Sequence, residues 1–336
     1  MNKKLSTLAL VAAAAFAAEG YKTLEKMKIG GSGGWDYIVY DQTTDRVFAS
    51  HGNQVEVVDP AAGKVVGTVT DVPGVHGIAV APEFNKGFIS SRGKNAAVIF
   101  DLKTFQKTGE AKAGNNPDAI CYESKTKRVF AFNHSATTAT AIDAKTGDPI
   151  STFEVGEAPE YCASDNAGHM FANMEGSSEI VEIDAAKPAV TRRVTIEPGC
   201  KGPSGLAIDT KDHVLFAVCG DTKTMGIVDY STMKMLGTAP IGGGPDAAGY
   251  DPGTGLAFSS NGEGTLTIVK KNGAKWEAVE TVPTTRGART MTVDTKRHLV
   301  YLLAAEYGAA PAPKEGQKAG RAPVLPDSFH ILVVGK

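Results

Sequence analysis

Apolar positions in this chain come in short runs broken by polar turns, and the runs recur in a fixed order. A strand closes on an acidic residue, a polar turn follows, and a second, more continuous apolar strand carries Phe or Tyr. The residue closing the first strand falls at Asp41, Ala81, Glu123, Asp165, Asp209, Asp251 and Asp294. The aromatic of the second strand follows at Phe48, Phe88, Phe130, Phe171, Phe216, Phe258 and Tyr301. A period of about 40–45 residues with several strands per unit is that of a β-propeller blade. The pattern therefore predicts an all-β chain: a seven-bladed β-propeller of four-stranded antiparallel blades.

The third unit shows the expected blade. Asp118 to Tyr122 reads as the inner strand, Arg128 to Phe132 as the second, Thr138 to Ile142 as the third and Ile150 to Val155 as the outer one. Asp143-Ala144-Lys145-Thr146-Gly147 turns the chain between the last two, because Asp bonds the backbone two residues on and Gly takes positive φ. The same reading makes Asp59, Asp101, Asp184 and Asp229 turn residues rather than chemistry. At the chain ends, Tyr21 to Ile29 matches an outer strand and Phe329 to Val334 a third strand. The N- and C-terminal strands are expected to pair in the last blade and close the ring, which removes exposed edges.

Several elements carry a resemblance. These are Gly-x-Pro or Gly-Pro before the inner strand (Gly114/Pro117, Gly156/Pro159, Gly202-Pro203, Gly244-Pro245), the Val-Phe-Ala or Val-Tyr-Leu strand, and Val55-Glu56-Val57-Val58-Asp59 with Gly63-Lys64-Val65-Val66-Gly67. Together they resemble the YVTN-type β-propeller repeat of bacterial YncE-like exported proteins, over essentially the whole chain after the leader. Ala81 in place of the acid, and Lys270 in place of the third-strand Asp, depart from the pattern and are expected to weaken two turns. The resemblance implies fold and export. It implies no activity, because propellers host unrelated functions.

Residues 1–17 read as a signal peptide: Lys3 and Lys4, an apolar stretch from Leu5 to Ala14, then Ala15-Phe16-Ala17 as a small-x-small cleavage site. No later apolar run is long enough to span a bilayer. The expected product is a periplasmic protein whose residues 18–336 form one propeller domain, with 306–327 as a long loop in blade seven. Cleavage would take the formal charge from −2 to about −4, and no basic block suggests nucleic acid. Export makes the four cysteines disulfide candidates. Cys200 and Cys219 fall on one rim of blade five, while Cys121 and Cys162 lie on inner strands of adjacent blades. Buried free thiols are the alternative to either bridge.

Loops entering the inner strand and leaving the second strand share one face of a meander. Entries give Asp36, His76, Asp118, Glu160, Ser204, Asp246 and Arg289, and exits give His51, Arg92, His134, Glu175, Asp221, Asn261 and Glu306. This polar mouth is the expected ligand site for a small-molecule or protein partner. His51, His76 and His134, converging from separate blades, are candidate ligands for a divalent ion such as Zn, Cu, Mn or Ca. Solvated loop histidines are the plain alternative. Arg92 and Arg289 could neutralise the recurring acids or hold an anion. His169, His213 and His298 share one slot on the opposite face, which argues for structure. Trp35 could stack on a ligand or simply pack, and the Pro- and Ala-rich 306–327 loop could cover the mouth.

The chain has no Cys-x-x-Cys-His, hence no covalent c-type haem. It also lacks a phosphate-cradling glycine loop and a Gly-x-Ser-x-Gly turn. The expected function is an exported, monomeric binding module acting through its central face, without catalysis. The alternatives are a metal-assisted lactonase or lyase at the channel, with Glu160 as acid or base, and a purely structural envelope protein.

Overall fold

The computed structural model describes residues 20–31, 33–310 and 322–336. The leader expectation (1–17) and positions 311–321 of the blade-seven loop lie outside the described residues. Strands arrange as seven four-stranded antiparallel sheets, each running in order from the inner to the outer strand. In the last blade, Lys22–Lys28 pairs with His330–Gly335, which continues through Leu299–Ala304 to the inner strand Met291–Asp294. The terminal strands therefore close the ring, and the strands expected in blade three occur within a residue or so of their predicted ends.

Burial explains the sequence pattern. Second strands such as Arg46–His51 are covered on both faces by adjacent blades and read as continuous apolar runs. Outer strands such as Lys64–Val69 are largely exposed and read as mixed. The recurring aromatics are all sealed between blades, Phe48, Phe88, Phe130, Phe171 and Phe216 at 0% exposure. Burying each contributes about 1.5–3 kcal/mol.

The turn acids behave as expected. Asp59, Asp101, Asp143, Asp184 and Asp229 each accept backbone N–H bonds from the residues two and three positions on. At both departures from the repeat the turn takes another form. After Ala81 the chain makes a 3-10 turn, Pro82–Phe84, closed by left-handed Asn85. In blade six the third strand runs past Lys270 to Asn272, and the reversal moves out to Gly273 at φ 59°. Both disulfides are present: Cys121–Cys162 joins blades three and four, and Cys200–Cys219 ties blade five. Among the described residues no helix is long and apolar enough to cross a membrane.

Candidate ligand site at the ring axis

One slot, five residues before each landmark, supplies the centre of the mouth. In six blades the ladder between inner and second strands slips beside this slot, as between Trp35 and Ile38 or Pro117 and Ile120. A β-bulge re-aims the side chain it carries, and here residues of different blades meet. His76 bonds Asp36 of blade one through Nδ1, which also lies 3.5 Å from Asp118 of blade three. Arg289 bonds Asp246 of blade six and lies 3.5 Å from Asp36. The bulges bring neighbouring backbones so close that a Cβ on Gly77 would sit 2.8 Å from the Asp118 carbonyl oxygen, so this position takes glycine. Ser204 spends its hydroxyl on the Pro245 carbonyl, 3.0 Å away, and adds no charge.

The rim above the slot is built by two 3-10 turns, Arg92–Lys94 and His134–Ala136, each closed by a left-handed residue, Asn95 or Thr137. They place Arg92 3.8 Å from Asp118 and His134 Nδ1 3.0 Å from Glu160. His134 Nδ1 and Glu160 Oε2 thus form a half-buried ion pair. Two sets of donor atoms converge within 4.8 Å: Asp36, His76 and Asp118, and Asp118, His134 and Glu160, with Asp118 in common.

Crowding of carboxylates changes their protonation. Burial, reinforced by Glu160 and Asp36 against the opposing histidines, pushes Asp118 up to about 7. Burial likewise raises Asp246 to about 7, against the lowering pull of Arg289. The Glu160 contact raises His134 to about 9. Burial by itself would lower His76, but Asp36 and Asp118 override it and the net shift is upward. Glu175 is also raised, by burial first and then by Glu160.

His51 departs from expectation. It pairs with Trp35 at the last rung of the second strand, level with Ser91, Asn133, Met174, Cys219 and Asn261, one residue short of the rim. Consecutive strand residues face opposite sides, so that single step sends the imidazole between blades. There it is 3% exposed, stacks on Phe329 at 4.1 Å, and lies 3.7 Å from Glu56. His51 is thus outside both donor sets. Asn261 makes the same step inward and bonds Thr265 and Thr267. Trp35 packs on Phe329 and on Tyr307, where the blade-seven loop begins. That loop is pinned at its base by Tyr307 opposite Val324. On the far face, His169 meets Asp165, His298 meets Asp251, and His213 packs edge-on to Tyr230.

The floor of the mouth was missed from sequence. Tyr37 and Tyr161, from blades one and four, stack face to face across the axis at 5.3 Å. The Tyr37 hydroxyl donates to the Glu160 carbonyl at 2.8 Å. Burial, with Asp246 and Asp36 adding to it, pushes Tyr161 up to about 12. Below the pair lies a channel of about 460 Å³ walled by Ile78, Ile120, Leu206 and Val293 among others. On the charged side is a cavity of about 420 Å³ lined by Glu160, Glu175, Glu197, Asp221 and Asp246, with Lys201 the one basic group among its described lining residues. The residue after the slot is Gly, Ala or Thr in the other five blades, so two tyrosines there were a readable signal.

No protein-family model matches the chain, and no curated protein matches it in sequence. Solved structures do match in fold. A chain of the Kuenenia stuttgartiensis hydrazine synthase superposes with TM-score 0.71 at 15% identity, over 82% of this chain and 93% of that one. U3-55K superposes with TM-score 0.72 at 9% identity, over 93% and 98%. At such identities the likeness establishes the seven-bladed architecture and nothing of the site.

Proposed function

We propose that this chain is an exported, YncE-like propeller that works as a binding module, and that its axial mouth takes a positively charged ligand. The observation carrying the reading is the crowding of carboxylates at one mouth, above the stacked Tyr37 and Tyr161. Asp36, Asp118, Glu160, Asp246 and Glu175 converge on a mouth whose cations, among the described residues, are Arg92, Arg289, the peripheral Lys201 and the imidazoles of His76 and His134. Two of those carboxyls hold protons up to about pH 7, chiefly because they are buried. A ligand cation beside them favours the charged form and releases the protons. The stacked tyrosines keep the ligand on the charged side. Two disulfides fit an oxidising compartment such as the periplasm.

The test is a thermal-shift panel at about pH 8 and low salt, with spermidine and putrescine against citrate and phosphate. The reading predicts that amines raise the melting temperature of the wild type and do so less in Glu160→Gln with Asp246→Asn. Stabilisation by the anions alone would overturn it.

A further inference from the structure

Resting on that reading, we infer that the cation is a divalent first-row transition ion held by Asp118, His134 and Glu160. The three side chains come from separate stretches of two adjacent blades, and their donor atoms already lie within 4.8 Å of one another. Donors bound about 2.0–2.2 Å from one ion sit roughly 3–4 Å apart. The His134–Glu160 separation of 3.0 Å needs little change. His134 Nδ1, shielded from solvent, faces the Glu160 carboxylate at the point where the three donors meet.

The companion set is less suited. His76 Nδ1 is already engaged with Asp36, and Asp36 faces the Arg289 guanidinium at 3.5 Å. His76, 3.5 Å from the Oδ1 of Asp118, is a positioning residue for that carboxylate, as outer-sphere partners of metal ligands are. Tyr37 fixes the Glu160 main chain from below. Arg92, 3.8 Å from Asp118, is about half exposed and too distant to hydrogen-bond it, so it can swing to solvent. One imidazole and two carboxylates suit Zn, Mn or Co, and three protein donors leave coordination positions facing the open mouth.

The experiment is titration of the full chain, cleared of metals, with Co²⁺ followed by its visible absorption, then competition with Zn²⁺. One equivalent is expected to bind with a ligand-field spectrum that Zn²⁺ erases. His134→Gln and Glu160→Gln should each weaken binding by about 100-fold or more, and His76→Gln by about 10-fold. Circular dichroism checks that each variant folds; His134 lies on a surface turn, so Gln there is tolerated. Co²⁺ binding that His134→Gln and Glu160→Gln leave unchanged would overturn the site. If Co²⁺ fails to bind while spermidine still stabilises the protein, the metal assignment falls and the cation-binding mouth stands. If neither binds, both fall.

Discussion

Arg289→Gln tests the charge balance of the mouth through stability. Arg289 bonds Asp246 and lies 3.5 Å from Asp36, so its removal leaves two carboxylates without their common cation. Breaking a fully buried pair costs about 3–5 kcal/mol. The Arg289 side chain is 42% exposed, and solvent screening reduces the expected loss to about 1–3 kcal/mol. The pH dependence gives the sharper signature. Burial raises the folded Asp246 carboxyl to about 7, against about 3.9 in the unfolded chain. The folded state thus keeps its proton longer, and stability falls as pH rises from about 4 through about 7. Without Arg289 the carboxyl is raised further, so the fall continues above pH 7. Urea unfolding should show a deficit that is smaller near pH 5, where Asp246 is protonated either way and the Asp36 contact alone is lost, and larger near pH 8. An equal deficit at both would refute the reasoning.

Other substitutions separate structure from site. His51→Phe should cost no more than about 1.5 kcal/mol, because the ring stacks on Phe329 and has no hydrogen-bond partner among the described residues; ligand titration should match wild type, and a loss of binding would return His51 to the site. Asp45→Asn removes the charge, and one of the two acceptor oxygens, that Arg297 and Tyr40 use between blades one and seven. Because Arg297 first, then Tyr40, holds Asp45 at about 2, its stabilisation is present above about pH 4 and lost as pH falls through about 2. The pair is exposed, so the loss near pH 7 is about 0.5–1 kcal/mol, vanishing below pH 2, as acid titrations of both proteins would show. Replacing Cys121 and Cys162 together by Ser opens a link spanning 41 positions and should cost about 4 kcal/mol. An unchanged melting temperature would argue against the bridge.

The sequence showed most of the fold because blade geometry writes itself into burial. A second strand enclosed on both faces must be continuously apolar, and each Asp-led turn must present an acceptor to its own backbone. The slot that supplies Asp36, His76, Asp118, Glu160 and Asp246 was legible for the same reason, since it keeps a fixed distance from the landmark. His51 was misplaced because the exit of the second strand has no landmark of its own, and a one-residue error inverts a strand residue. The Tyr37–Tyr161 floor was hidden by its dependence on two blades that are not neighbours. Which acid each histidine would meet, Asp36 for His76 and Glu160 for His134, depends on side-chain directions that no spacing encodes.

The most direct test of the cation-binding mouth is calorimetric titration of spermidine at about pH 8 and low salt, into wild type and into the Glu160→Gln, Asp246→Asn double variant. The predicted result is saturable binding that weakens at least about 10-fold in the variant and weakens further as salt is added. Binding of citrate in place of spermidine, or spermidine binding indifferent to both carboxylates, would contradict it.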